Sequence, residues 1–251
     1  AVMRIFDRLG DRKNLARNRM RYLVNDMGWE KFQNLVLKER AIVRATQSVV
    51  TRLRVNTAPD QIKRPLKITD ESGSSTPDGY ARWLKTNTVK QKQPEYHSVF
   101  ITLEAGDITS NQLNALAELV REFSSEGKAR TGFVQNVALR YVHEDDLIPL
   151  YSKLLQSGLA KSGALTMTTP VGCSGTTSCN LALTNSHRLA KEIQRKFLEL
   201  KLDEDDDLTN SSIKISGCPN SCGQHGIATI GFFGGGGRGG KDMYPNYQMS
   251  L

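Results

Sequence analysis

Ser212-Ile213-Lys214-Ile215-Ser216-Gly217-Cys218-Pro219-Asn220-Ser221-Cys222-Gly223-Gln224-His225 joins a strand pattern to a cysteine-bearing turn. Ile213 and Ile215 recur at the period of a strand, and Gly217 and Pro219 end it, so the strand expected over 212–216 delivers Cys218 and Cys222 to one tight turn. A second strand is expected over 227–233, followed by a glycine run from Gly234 to Gly240 broken only by Arg238 and read as flexible. Cysteines placed at the end of a strand point to a site rather than to core packing.

Working outward, Cys173 and Cys179 lie in a Gly/Ser/Thr-rich loop that leads into a helix expected over 181–198. The full pattern is C-x5-C, a gap of 38 residues, then C-x3-C. Four thiolates can hold a [4Fe–4S] cube, one per iron. They can also hold a structural zinc ion, although x5 is wider than the usual zinc spacing. Disulfides are the weakest reading, because nothing in the sequence resembles an export signal. Gly172, Gly175, Gly217 and Gly223 suit loops whose backbone must approach a bulky inorganic group.

Before these loops, residues 97–160 have an alternating rhythm of strands and helices. A strand over 97–103 is followed by an amphipathic helix over 110–123, capped by Thr109 or Ser110. Strands at Phe133-Val134 and 137–142 follow, then a helix over 143–157 opened by Glu144, Asp145 and Asp146. This βαββα order predicts an α+β fold with a ferredoxin-like lobe. Two helices are expected over 15–26 and 29–45, broken at Gly28. The Thr/Pro/Ser/Lys-rich stretch 51–92 reads as an extended connection. The organisation expected is thus a helical segment (1–50), a linker (51–92), a ferredoxin-like half-domain (93–160) and a cysteine-bearing α/β domain (161–251). Both ends read as cut, and a fragment is expected.

Charge is unevenly spread. Residues 1–100 hold 20 Lys/Arg against 10 Asp/Glu, and the remainder 14 against 16. The basic first stretch calls for an anionic partner, whether nucleic acid, a polycarboxylate cofactor or a small oxyanion. A zinc-stabilised nucleic-acid-binding module would interleave aromatics with the basic residues, and Arg12 to Arg21 contains none. A pure iron–sulfur electron-transfer protein would need no basic cofactor segment. No apolar run is long enough to span a membrane as a helix, and a cytoplasmic location is expected, or an organelle if a transit peptide has been removed.

Gly217-Cys218-Pro219-Asn220-Ser221-Cys222-Gly223-Gln224-His225, with Ile230-Gly231-Phe232 beyond it, resembles the signature of sirohaem-dependent nitrite/sulfite reductases. Cys173-Ser174-Gly175-Thr176-Thr177-Ser178-Cys179-Asn180 is similar to that family's first cysteine loop, except that Ser174 stands where many relatives have proline. The resemblance extends to Gln135-Asn136 and to Gly10-Asp11-Arg12-Lys13-Asn14 with Arg17. It implies that the chain is the C-terminal half of a pseudo-two-fold haemoprotein, with a sirohaem/[4Fe–4S] domain following the ferredoxin-like lobe. It implies that Cys173, Cys179, Cys218 and Cys222 ligate a [4Fe–4S] cluster, and that Cys222 also bridges to the sirohaem iron. Arg12, Lys13, Arg17 and Arg19 match the segment that contacts the cofactor's carboxylates, and Gln135 and Asn136 an element beside the macrocycle. His225 is expected to support the site rather than ligate haem. The implied reaction is six-electron reduction of nitrite to ammonia or sulfite to sulfide. The implied donor is ferredoxin or a separate reductase subunit, with no nucleic acid or membrane partner. The residues that grip the substrate oxyanion come mostly from the family's first half, which would precede Ala1, so the fragment alone is expected to be inactive.

Overall fold

The computed structural model describes residues 1–14, 17–46, 76–208, 211–239 and 242–251. Leu15, Ala16, Gly240 and the 51–75 part of the expected linker lie outside the described residues. The chain divides into two units, 1–57 and 58–251.

The first unit holds three helices, α1 (Val2–Leu9), α2 (Met20–Met27) and α3 (Trp29–Thr46). Gly28, at φ +86°, ends α2 in a conformation that favours glycine. Ile5, Leu23 and Phe32 form a small core. Glu39 is buried against them, and its charge is met by Arg8 through two hydrogen bonds of 3.1 and 3.2 Å and by Arg4 at 3.4 Å. Trp29, at the start of α3, is exposed.

The second unit begins where the linker was expected to continue. Residues 80–90 instead form α4 (Tyr80–Asn87) and β1 (Thr88–Lys90). Tyr80, Trp83 and Leu84 fall on one helical face, and Trp83 is fully buried in the lobe's core. The unit continues with β2 (Tyr96–Thr102), α5 (Ser110–Phe123), β3 (Ala129–Thr131), β4 (Asn136–His143) and, after a 3-10 turn over Glu144–Asp146, α6 (Leu147–Gln156). The antiparallel sheet has order β1-β2-β4-β3. Leu116, Leu119, Val120 and Phe123 of α5, with Leu150 and Leu154 of α6, pack on Val99, Ile101 and Leu139 of the sheet. The first strand of the βαββα pair lies at 129–131 rather than at Phe133-Val134. Phe133 is 80% exposed in the loop that follows.

A second sheet carries the cysteines. It comprises β5 (Val171–Gly172), β6 (Ile213–Ser216), β7 (Ile230–Gly239) and β8 (Asp242–Ser250), in that order, with α7 (Ser186–Glu199) between β5 and β6 in sequence. β5, β6 and β7 run parallel, while β8 returns antiparallel. The glycine run is therefore strand, not a flexible loop: Gly234 to Gly239 pair residue by residue with Tyr247 to Asp242. The strand expected over 227–233 begins only at Ile230, and the helix expected from Leu181 begins at Ser186. Residues 174–185 are instead held in a folded loop. No helix among the described residues is long and apolar enough to cross a membrane.

Candidate iron–sulfur site

Two cysteine loops leave the same edge of the parallel strands. In β5–β6 pairing, Gly172 stands opposite Ile215, and the Cys173 N–H donates to the Ile215 carbonyl at 3.0 Å. Cys173 follows the end of β5, and Cys218 follows the end of β6 by one residue. The carboxyl ends of parallel strands in an open sheet are a usual place for ligands.

The loops are locked together through Gly217. Its N–H donates to Cys173 Sγ at 3.1 Å. Its carbonyl accepts from the N–H groups of Leu183 (2.8 Å) and Thr184 (3.1 Å). A Cβ on Gly217 would lie 2.9 Å from both Gly175 Cα and the Thr184 carbonyl, so the close approach demands glycine. Gly223 is equally constrained, since a Cβ there would lie 2.0 Å from the Ile215 carbonyl. Ser186, fully buried at the start of α7, donates to the Cys173 carbonyl at 2.8 Å, with its Oγ 3.1 Å from Cys173 Sγ. Tyr247 of β8 lies close by. Burial pushes its hydroxyl's pKa up, and the neighbouring Cys173 adds to the shift.

The four cysteines are thiols, with Cys218 buried, Cys173 and Cys179 half-buried and Cys222 exposed. Among the described residues no three His, Cys, Asp or Glu side chains are drawn together around a single ion. Four thiolates are the ligand set of a cube, one at each of four irons. The donor set fits a [4Fe–4S] cluster: four soft ligands, two from each of two interlocked loops, one of them already accepting a backbone N–H.

Gln135 and Asn136 reach this region from the ferredoxin-like lobe. Gln135, at φ +57°, uses its whole side-chain amide on one residue. Nε2 donates to the Gly172 carbonyl at 2.8 Å, and Oε1 accepts the Gly172 N–H at 3.0 Å. β5 is the edge strand, so this amide supplies the pairing that a further strand would give. Asn136 is 4% exposed, and neither Oδ1 nor Nδ2 has a hydrogen-bond partner among the described residues. Asp107, in the turn after β2, ties the lobe to α7 through Lys191 (2.7 Å) and His187 (3.2 Å). His225 packs its ring on Phe233 at 4.8 Å, and its Nδ1 lies 2.9 Å from Ser216 Oγ. Burial pushes that ring's pKa down.

The basic candidates all lie exposed in the first unit. Arg12 pairs with Asp7 at 2.8 Å and Arg17 with Asp26 at 2.8 Å. Arg19 donates to the Asn18 carbonyl at 3.0 Å, and the Lys13 N–H caps on Asp11. Sequence reasoning missed Ser186, Tyr247 and Lys214. The first two carry no signal until the fold is known, whereas a lysine between two isoleucines of a buried strand is visible in the sequence.

Comparison with known proteins places these observations in a family. Residues 89–157 match the nitrite/sulfite reductase ferredoxin-like half domain, and residues 1–43 match the nitrite and sulphite reductase 4Fe-4S domain. The chain is 26% identical over 237 residues to a ferredoxin–nitrite reductase of Synechococcus elongatus, covering 93% of this chain and 40% of that protein. It is 26% identical over 238 residues to a ferredoxin sulfite reductase of Mycolicibacterium paratuberculosis, covering 93% and 38%. In fold it is similar to the Mycobacterium tuberculosis NirA protein, with a TM-score of 0.60 at 20% identity, over 96% of this chain and 40% of that one. The chain thus spans about two fifths of the length of these relatives. The cofactors implied by these matches are a [4Fe–4S] cluster and sirohaem. By the half-domain match, the 4Fe-4S domain match and relatives of both substrate types, the chain resembles the nitrite/sulfite reductase family.

Proposed function

We propose that this chain is the cluster-bearing part of an enzyme that reduces nitrite to ammonia or sulfite to sulfide, taking six electrons from ferredoxin. The relatives named for each substrate, both ferredoxin-dependent, support the reaction class. One observation carries the local assignment: the loops of Cys173/Cys179 and Cys218/Cys222 leave adjacent parallel strands and lock through the Gly217 N–H on Cys173 Sγ.

In this reading Cys173, Cys179, Cys218 and Cys222 would hold the cluster, and Cys222 would serve the sirohaem as well. Bound together, the two cofactors supply an iron for the substrate oxyanion and an electron store beside it. The chain's own part is to position and insulate. Gly217 places an N–H at Cys173 Sγ, and a hydrogen bond of that kind makes a reduced cluster easier to reach, while Ser186 fixes the Cys173 carbonyl. Gln135 fixes the start of the first cysteine loop. Asn136, the next residue, is proposed to lie beside the macrocycle, and its two amide atoms have no hydrogen-bond partner among the described residues. Arg12, Lys13, Arg17 and Arg19 are proposed to neutralise sirohaem carboxylates, which must be paired when buried.

The test uses the full-length protein, prepared anaerobically. Iron and acid-labile sulfide near four each per cluster, a sirohaem absorption spectrum, and reduction of nitrite or sulfite by reduced ferredoxin are expected. Stoichiometric zinc without sulfide would overturn the cluster assignment. A cluster without sirohaem would leave an electron-transfer protein.

A further inference from the structure

Buried charge is sparse among the described residues and is neutralised with one exception. Glu39 is met by Arg4 and Arg8. Lys214, in β6, is 5% exposed and has no carboxylate within ion-pair distance among the described residues. Its ammonium donates to Gln224 Oε1 at 2.7 Å and lies 5.9 Å from the centre of the Phe133 ring. One amide oxygen and a distant ring face are weak compensation for a desolvated ammonium, which ordinarily requires an anion.

The surroundings say what kind of anion. Gln224 is two residues beyond Cys222, so the ammonium stands beside the second cysteine loop. Phe133 belongs to the loop that Gln135 clasps to Gly172, and Gly172 stands opposite Ile215, the neighbour of Lys214. The ring of Phe133 is 80% exposed, although this loop is otherwise pinned to the sheet. Asn136, three residues on, keeps both amide atoms unpaired while 4% exposed. An exposed apolar ring and an uncompensated cation next to a cysteine loop suit a broad, flat ligand with carboxylates at its rim. A triatomic oxyanion would use the cation but would leave the aromatic surface uncovered.

We propose that Lys214 binds a rim carboxylate of the tetrapyrrole, with Phe133 packed against the same ligand. This rests on the sirohaem reading above and adds to it a cofactor-binding cation on the cluster sheet itself.

The test compares wild-type full-length protein with Lys214→Met, Lys214→Arg and Phe133→Ala, all expressed with ample sirohaem supply. Sirohaem and acid-labile sulfide are measured per chain, along with KM for nitrite and sulfite and the melting temperature of protein prepared without sirohaem. Lys214→Met is expected to lose sirohaem severalfold while keeping its sulfide, and Lys214→Arg to recover most of it. Without sirohaem, Lys214→Met should melt no lower than wild type, because it removes a buried charge that nothing neutralises. Phe133→Ala, a change at an exposed side chain, should lower occupancy by a smaller factor. Its occupancy decides the matter if Lys214→Met fails to fold, and a wild-type value would then overturn the proposal. Full sirohaem occupancy in Lys214→Met with a raised KM would assign the cation to substrate and overturn it. Joint loss of sulfide and sirohaem, with a lower melting temperature in the sirohaem-free protein, would make Lys214 part of the scaffold and overturn it too. Wild-type protein that contains a cluster but no sirohaem would show that the underlying reading, rather than the role of Lys214, had failed.

Discussion

Replacing Gln135 with alanine should loosen the first cysteine loop from a distance. Both heteroatoms of its amide are committed to Gly172, at 2.8 and 3.0 Å, and no other strand covers that edge of β5. The variant leaves a buried N–H and a buried C=O without partners. Each such group costs about 1–3 kcal/mol. Water entering the space left by the side chain recovers part of this, so a loss of about 2–4 kcal/mol is expected. Alanine also keeps the positive φ that glutamine tolerates here, so backbone strain does not change. Gln135→Glu separates shape from hydrogen bonding. Its second oxygen would face the Gly172 carbonyl, so at neutral pH it should be at least as harmful as alanine despite being nearly isosteric. Protonation restores a donor, so the folded-state pKa is raised above that of an ordinary glutamate, and the deficit should shrink as pH falls through that raised value, with no further change below the ordinary one. Urea unfolding of the cluster-free protein gives the energies, and acid-labile sulfide after anaerobic expression gives the consequence for the site. A loss under about 0.5 kcal/mol in Gln135→Ala, with sulfide at the wild-type level, would refute the clasp. A Glu variant as stable as wild type at neutral pH would refute it as well.

Two further outcomes follow from local geometry. Glu126 has a side chain only 6% exposed. Burial alone would push its carboxyl up, but Arg140 and Arg130 bind it and hold it at about 2, against an ordinary 4.5. A depressed carboxyl stabilises the fold above its unfolded pKa, here by roughly 3 kcal/mol. Glu126→Gln should therefore cost about that much at neutral pH, and the gap from wild type should close as pH falls from 4.5 towards 2 in a denaturation series. Gly217→Ala should displace the first cysteine loop and lower sulfide content. Gly226→Ala, whose Cβ would meet nothing within 4 Å, should leave the content unchanged.

The elements most legible in the sequence are those whose ends are set by local chemistry. α5 begins after Thr109 because Thr109 and Gln112 form a reciprocal cap, and it runs as its apolar spacing requires. β6 is legible because isoleucines alternate up to a glycine. The glycine half of β7, from Gly234 on, is not legible, since a strand without side chains has no periodicity to read. Its pairing is dictated by β8, and its glycines by crowding: a Cβ on Gly234 would lie 2.2 Å from Thr184 Oγ1. α4 is hidden in a polar stretch, and only the burial of Trp83 reveals it. At the site, the cysteines and the Gln135-Asn136 pair stand out from the sequence. What Gln135 does there depends on a contact across 37 residues, which no local pattern encodes.

Parallel pairing explains why one cysteine pair can be so far in sequence from the other. A hairpin would bring its two strands to opposite ends of the sheet, so loops following each strand could not meet. Two parallel strands end at the same edge, but the connection between them must cross back over the sheet. Here that crossing consumes the 38 residues between Cys179 and Cys218, including α7. The crossing is not passive. Ser186, at its start, binds Cys173, while Lys191, one turn further on, binds Asp107 of the ferredoxin-like lobe. A shift of α7 would therefore move the Cys173 carbonyl and the lobe together. Gln135 closes the loop from the other side by holding Gly172. The first cysteine is thus fixed by three separate elements, β6, α7 and the loop before β4. Such preorganisation lowers the ordering cost of assembling a four-iron group from side chains so far apart in sequence.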